Sequence, residues 1–116
     1  INAALACAQL ENLEYFIKKK RELENQYFIF FENKKITFIT EPENCESNYW
    51  LNAILLKNRR ERDAFLTYSN SRGVMTRPAW VLMSKLGIYK NNVKGNLENA
   101  EWIEDRLVNI PSSVIS

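Results

Sequence analysis

The hydrophobic pattern of the first third of the chain predicts one long amphipathic helix over residues 2–32. Apolar residues recur there at steps of three and four, which places them along one side of a helix. Neither glycine nor proline interrupts the run, and four alanines near its start would let another backbone approach closely. The other side carries the basic run Lys18–Arg21, which we interpret as a solvated face, although it would also suit an anionic partner.

Two strand patterns follow this helix. Residues 36–40 alternate and are rich in β-branched side chains, so they predict a strand. The run Glu41-Pro42-Glu43-Asn44 is typical of a turn. Residues 49–56 carry apolar side chains on both faces of an extended chain, which predicts a central strand covered on both sides.

A second helix is bounded by clear signals. Asn58 stands three residues before Glu61, an arrangement similar to a capping box at a helix start. Gly73 is expected to end the helix in a left-handed conformation. Residues 74–77 then predict a short strand, whose pairing Pro78 stops because proline has no backbone N–H.

The last third of the chain has weaker patterns. Residues 81–95 are irregular apart from one helical turn near 82–86. Asn96 can cap a last helix that runs to about Arg106, and residues 108–111 form an extended tail. The order of elements, helix–strand–strand–helix–strand–helix, predicts an α+β fold. We expect a small sheet of three to four strands, with helices packed on it beside the long N-terminal helix.

Length and composition predict one packed domain over residues 1–116. Hydrophobic residues make up 46% of the chain and charged residues 26%, which favours a core over disorder. The net charge of +2 is too small for a nucleic-acid or membrane-surface partner. No apolar run is long enough to span a bilayer.

Missing residue types exclude most catalytic sites. The chain has no histidine, so it cannot build a Ser-His-Asp triad or a Cys-His pair, and three glycines provide no phosphate loop. The spacing of Cys7 and Cys45 fits no metal motif, and we expect reduced thiols in a cytoplasmic protein. The carboxylates are scattered, so we predict no catalytic residue and no metal ligand.

Four residues are candidate ligand contacts: Arg77, Trp80, Asn48 and Tyr49. Arg77 offers a fork of donors to phosphate or carboxylate at a strand end. Trp80, like Trp50, has a ring that can stack on a sugar or base. Simpler interpretations are an ion pair for Arg77, core packing for the two tryptophans, a turn cap for Asn48 and a half-buried sheet position for Tyr49.

Four motifs, in this order, resemble the C-terminal part of the nucleotide-sugar aminotransferases of the DegT family, on the perosamine-synthetase-like and legionaminate-pathway branch. They cover nearly the whole chain. They are Ile1–Leu13, Ser47-Asn48-Tyr49-Trp50-Leu51, the run Gly73-Val74-Met75-Thr76-Arg77-Pro78-Ala79-Trp80, and Val108-Asn109-Ile110-Pro111-Ser112-Ser113.

The resemblance implies the small domain of a fold-type-I aminotransferase that depends on pyridoxal phosphate. Such enzymes move an amino group, usually from glutamate, onto a keto carbon of a nucleotide-linked sugar, and a lysine of their large domain holds the cofactor. None of the large-domain segments is among these 116 residues. The resemblance therefore implies a C-terminal fragment that binds no cofactor and is inactive alone.

In the complete enzyme, the resemblance implies that this domain supplies substrate contacts and part of a homodimer surface. Arg77 would face the substrate with Trp80 close by. Many relatives have a histidine in this segment, and its absence here leaves the contact chemistry open.

Two other interpretations stay open. The chain is a free-standing protein-interaction module that uses its N-terminal helix, or a nucleic-acid binder through Lys18–Arg21 and its aromatic rings. The small net charge argues against the second. Ile1 replaces an initiator methionine, which favours truncation. Apolar surface exposed near residues 3–13 would then give a tendency to dimerise.

Overall fold

Helices and a small sheet make up the computed structural model, which describes residues 1–114; residues 115–116 lie outside the described part. The α+β fold predicted from the sequence is confirmed. The helices are α1 (Asn2–Glu11), α2 (Leu13–Phe31), α3 (Arg59–Ser71) and α4 (Glu98–Glu104). The strands are β1 (Thr37–Phe38), β2 (Asn52–Leu55), β3 (Arg77–Pro78) and β4 (Leu107–Ile110), and a 3-10 turn covers Met83–Lys85.

The sheet is antiparallel throughout, with the strand order β1-β2-β4-β3. Ile54 of β2 lies opposite Val108 of β4, and neither is exposed to solvent. This pair is the centre of the core. Partly buried side chains from α2, α3, β1 and the residue before β1 pack around it: Tyr27, Phe31, Phe65, Leu66, Phe38 and Ile36.

The tail predicted only as extended is in fact a central strand of the sheet. β4 pairs with β2 on one side and with β3 on the other. The covered central strand predicted over residues 49–56 is confirmed for its second half, since Asn52, Ala53 and Ile54 are all buried. Its first half is not strand, because Tyr49 has a left-handed backbone with φ of 45° and Trp50 and Leu51 are exposed.

The prediction of one uninterrupted N-terminal helix is wrong at Asn12. This residue separates α1 from α2, with φ of −105° and ψ of 2°. Its side-chain Nδ2 donates to the Ala8 carbonyl at 2.9 Å. Asparagine competes in this way for backbone hydrogen bonds, which explains why an otherwise continuous apolar pattern breaks here.

The predicted helix signals at Asn58 and Gly73 are confirmed, whereas the last helix has Leu97 at its N-cap position and ends before the predicted Arg106. The Asn58 side chain accepts from the Glu61 N–H at 3.0 Å, and Gly73 follows α3 with φ of 76°. Asn96 Oδ1 accepts from the Glu98 N–H at 2.8 Å at the start of α4, which ends at Glu104. Only a glycine adopts a positive φ without steric cost, so Gly73 suits the turn that leaves the helix.

Two predicted strand boundaries move. The first strand is reduced to Thr37–Phe38, and the third lies at Arg77–Pro78 instead of 74–77. Pro78 is therefore part of a strand rather than its stop. It is tolerated because β3 is an edge strand, where a missing N–H breaks no ladder on the solvent side.

The molecule leaves much apolar surface uncovered. Its radius of gyration is 17.1 Å, whereas a compact chain of this length has about 13 Å. Helix α1 contains no buried residue, and Leu5 and Leu10 are 60% and 66% exposed. Within residues 1–114, no helix combines the length and apolar character needed to cross a bilayer.

Candidate functional site

The loop of residues 41–51 is fastened to α2 by Arg21. The guanidinium donates to the two carboxylate oxygens of Glu41 at 3.4 and 3.2 Å and to the Ser47 carbonyl at 2.7 Å. The Ser47 N–H donates to the same carboxylate at 2.7 Å. Lys18 is exposed, as the solvated-face interpretation predicts. Arg21, in contrast, is partly buried and forms an ion pair with Glu41.

Tyr49 forms the inner side of this loop. It is only 6% exposed, and the guanidinium of Arg21 lies 5.6 Å from its ring centre. Its hydroxyl accepts from the Glu41 N–H at 3.3 Å, and burial raises the pKa of this hydroxyl. A left-handed backbone costs a non-glycine residue about 1–2 kcal/mol. Strain of this kind clusters at functional sites, which supports this loop as part of a candidate binding site.

Asn48 and Trp50 lie on the outer side of the loop. Asn48 is exposed, and its Oδ1 accepts from the Trp50 N–H at 3.0 Å, so the turn-cap interpretation of Asn48 is confirmed. Trp50 is 67% exposed, so its interpretation as core is wrong. The two side chains line a groove of about 370 Å³ whose other walls are Leu13, Phe16, Ile17, Lys20 and Val114.

Lys20 ties this loop to the C-terminal motif. Its Nζ donates to the Trp50 carbonyl at 3.2 Å and to the Ser112 carbonyl at 2.7 Å. About two turns further along α2, the Tyr27 hydroxyl donates to the Pro111 carbonyl at 3.0 Å. The motif of residues 108–113 therefore serves to dock the chain end against α2.

Arg77 and Trp80 are both displayed to solvent. Arg77 begins β3 opposite Asn109, and its guanidinium contacts the Met75 sulfur at 3.5 Å. It makes no ion pair with any of residues 1–114, so the ion-pair interpretation is wrong. Trp80 is 89% exposed, so its interpretation as core is wrong as well.

The topology brings only some of the candidates to one end of the sheet. β2 and β3 are both antiparallel to β4, so they run in the same direction and begin at the same end. The loop with Asn48 therefore leads into β2 at this end, and Arg77 begins β3 at the same end. Because β4 lies between them, the strands β2 and β3 are about 10 Å apart. Trp80 follows β3 and lies towards the other end, with Ala79 N–H bound to the Leu107 carbonyl at 3.4 Å.

Sequence reasoning missed a buried carboxylate, Glu104. It is 8% exposed, accepts from the Leu82 N–H at 3.0 Å and pairs with Lys85. Lys85 first, and the Leu82 N–H second, hold the pKa of Glu104 below its usual range. The signal was present: Glu104 stands four and seven residues after Ala100 and Leu97, on the same face of the last helix.

The fold and the motifs permit a comparison with known proteins. The model of the DegT/DnrJ/EryC1/StrS aminotransferase family matches residues 1–115. The chain belongs to this aminotransferase family. The resemblance inferred from the four motifs is thereby confirmed.

Relatives of this aminotransferase-family chain are much longer. It is 27% identical over 114 residues to a GDP-perosamine synthase of Escherichia coli O157:H7, covering 97% of the chain and 30% of that relative. The aminotransferase TlmJ of Streptoalloteichus hindustanus has the same fold, with a TM-score of 0.85 and 21% identity over 95% of the chain and 30% of TlmJ.

A second solved structure shows the fold together with a cofactor. It is the E. coli GDP-4-keto-6-deoxy-D-mannose-3-dehydratase with bound hydrated pyridoxal phosphate, with a TM-score of 0.72 and 21% identity. The match covers 97% of the chain and 31% of the dehydratase. The chain thus spans about 30% of the length of its relatives.

The lysines described here do not fit a pyridoxal phosphate site. An imine-forming lysine needs a lowered pKa, but the hydrogen bonds that Lys19 and Lys85 donate to Glu22 and Glu104 raise the pKa of both lysines. Lys20 is engaged by two carbonyls. The remaining lysines, 18, 34, 35, 57, 90 and 94, are exposed.

Among residues 1–114, no three His, Cys, Asp or Glu side chains converge to hold a metal.

Glu41→Gln is expected to reduce the acid sensitivity of the fold. The Ser47 N–H and then Arg21 lower the pKa of Glu41 below its ordinary value of 4.5. The carboxylate therefore stabilises the folded chain above that value, and the stabilisation is lost as the pH falls through the lowered pKa. The variant should be less stable at neutral pH but lose less on acidification.

Urea unfolding between about pH 7 and about pH 3 measures this difference. Glu43→Gln is the matched control, because Glu43 is exposed in the same loop. The same loss on acidification in Glu41→Gln and in the wild-type chain would contradict the assignment.

Proposed function

We propose that the chain is the C-terminal small domain of a pyridoxal-phosphate-dependent aminotransferase that acts on a keto group of a nucleotide-linked sugar. Glutamate is the proposed amino donor. The observation that carries the proposal is the family match over residues 1–115, in a chain with 30% of the length of a GDP-perosamine synthase. A large domain of the same polypeptide then provides the cofactor lysine, in agreement with the poor fit of the described lysines.

The small domain's proposed role is to contact the substrate. Arg77 is exposed and forms no ion pair with residues 1–114, and its guanidinium suits the diphosphate of a nucleotide sugar because its donors match phosphate oxygens in pairs. Trp80 presents a ring on which a sugar or base can stack. Asn48 offers its amide at the sheet end where β3 begins. Tyr49 is buried beside Arg21 and its hydroxyl accepts from the Glu41 N–H, so its proposed role is to hold the loop that carries Asn48.

The uncovered apolar surface supports the incomplete-domain proposal. Leu5, Leu10 and Leu13 are 60%, 66% and 45% exposed, and monomeric proteins rarely leave large contiguous apolar patches open. We propose that the large domain and a second copy of the enzyme cover this surface in a cytoplasmic homodimer.

The same surface favours a second candidate, a free-standing protein-interaction module that uses the N-terminal helix. The gene sequence ahead of the Ile1 codon separates the two. An open frame that encodes a cofactor-lysine domain supports the aminotransferase. A start codon directly ahead of Ile1 supports the module.

Arg77→Ala in the complete aminotransferase is expected to raise the KM for the sugar nucleotide by about tenfold, the effect of losing one charge-assisted hydrogen bond. The KM for glutamate should stay the same, because glutamate carries no diphosphate for Arg77 to bind. Steady-state kinetics with each substrate varied in turn measures both values.

Arg60→Ala is the matched control for this experiment. Arg60 is another exposed arginine, on α3, and it makes no ion pair with the described residues. An unchanged KM for the sugar nucleotide in Arg77→Ala would remove Arg77 from the proposed site.

A further inference from the structure

Segment 79–85, which carries Trp80, has little regular structure of its own. It contains only the 3-10 turn Met83–Lys85, and Val81 and Met83 are 59% and 61% exposed. A segment with so few buried side chains has little packing to hold it in place. Its fixed backbone therefore depends on the hydrogen bonds at its two ends.

The first end is held by the sheet. Pro78 lies opposite Val108 in the β3–β4 pair, and the Ala79 N–H donates to the Leu107 carbonyl at 3.4 Å. At the second end, Glu104 is the only described side chain outside the segment that hydrogen-bonds to it. Its carboxylate accepts from the Leu82 N–H at 3.0 Å and pairs with the ammonium of Lys85. Trp80, with 89% of its surface exposed, stands between the two anchors.

Glu104 is itself rigidly placed. It is the last residue of α4, and its backbone carbonyl accepts from the guanidinium of Arg62, which is only 7% exposed. Arg62 also pairs with Asp63 at 2.7 Å on α3. The backbone of Glu104, at the end of α4, is thus joined to α3 through Arg62.

The Lys85 side chain is 38% exposed, and an ion pair in contact with water contributes little to stability. The better-attested use of such a group is to specify one geometry among several. Here the geometry specified is the path of the backbone beside the exposed Trp80.

We infer that Glu104 is a positioning residue, which by holding Leu82 and Lys85 fixes the backbone on which Trp80 is presented to the nucleotide-linked sugar. The inference rests on the proposed function for its substrate. The anchoring of Trp80 can be tested without that substrate.

The first test measures the motion of Trp80 with no ligand present. The complete protein with Trp50→Phe and Trp102→Phe in this domain, and with any tryptophan outside it also replaced by Phe, reports on Trp80 through its fluorescence anisotropy. Adding Glu104→Gln should lower the anisotropy, because the amide cannot pair with Lys85. Glu101→Gln, an exposed glutamate on the same helix, is the control and should leave it unchanged. Equal anisotropy in both variants would overturn the inference.

The second test uses the complete aminotransferase. Glu104→Gln should raise the KM for the nucleotide sugar by about tenfold, within the range that a small misplacement of a binding group produces. The kcat and the KM for the amino donor should change less than twofold. If Glu104→Gln fails to fold, Lys85→Met replaces it as the test. This variant removes the ion pair with Glu104 but keeps the Leu82 hydrogen bond, and it should also raise the KM for the nucleotide sugar.

Trp80→Ala separates the two proposals. If this variant raises the KM for the nucleotide sugar and Glu104→Gln and Lys85→Met do not, the positioning role of Glu104 is overturned and the proposed function stands. If Trp80→Ala leaves the KM unchanged, Trp80 is not part of the site, and the role of Glu104 towards the substrate is overturned with it.

Discussion

Ile54→Ala is expected to lower the free energy of unfolding by about 2–5 kcal/mol. Ile54 has no exposed surface and lies opposite Val108, which has none either. Neighbouring strands and helices surround the side chain, so the space left by the lost methylene and methyl groups cannot close completely. The cost therefore combines the lost transfer free energy with that of a residual cavity.

Urea unfolding of the wild-type and variant chains measures the difference as a shift of the midpoint at constant slope. Ile29→Ala is the matched control, because Ile29 is 61% exposed on α2. This control should change the free energy of unfolding by no more than about 0.5 kcal/mol. Equal losses in both variants would show that the β2–β4 pair is not the centre of the core.

The core strand could be predicted because its signal is local. Residues 52–56 carry apolar side chains on both faces, and only a covered strand tolerates that pattern. The caps at Asn58 and Gly73 are equally local, and both are confirmed. The pairing of β4 with β2 could not be predicted in this way, because it joins residues more than 50 positions apart.

The candidate site was harder to predict, because exposure depends on the whole fold. The sequence leaves both a stacking site and core packing open for Trp50 and Trp80, and only the fold shows that both rings are exposed. Lys20 and Arg21 presented the opposite difficulty. Their charges look solvated in sequence, yet they contact a loop and a tail more than 20 residues away.

Asn12 shows how a single polar side chain can redirect a strong pattern. The apolar positions continue through it, and a periodicity argument therefore joins α1 to α2. The hydrogen bond from its side chain to the Ala8 carbonyl competes with the helical ladder at this point. The pattern of α1 is therefore continuous in sequence but belongs to a separate helix, none of whose residues is buried.

Ser112→Ala is expected to lower the free energy of unfolding by about 1–3 kcal/mol, the cost of leaving a buried donor without a partner. The Ser112 hydroxyl accepts from the Asn52 N–H at 2.7 Å and donates to the Ile110 carbonyl at 2.8 Å. Asn52 is 1% exposed, so water cannot readily replace the lost oxygen. This serine thus continues the β2–β4 ladder beyond its last backbone pair, by means of a side chain.

Ser113→Ala is the matched control, because Ser113 is the next residue and is exposed. Urea unfolding compares the two variants, and hydrogen exchange at the Asn52 amide should accelerate only in Ser112→Ala. Wild-type stability with unchanged exchange would contradict the assignment. The expected result would instead mean that the motif of residues 108–113, one of the four that resemble the family, joins β2 to the segment after β4. This contact lies at the end of the sheet where Arg77 and the loop of Asn48 lie.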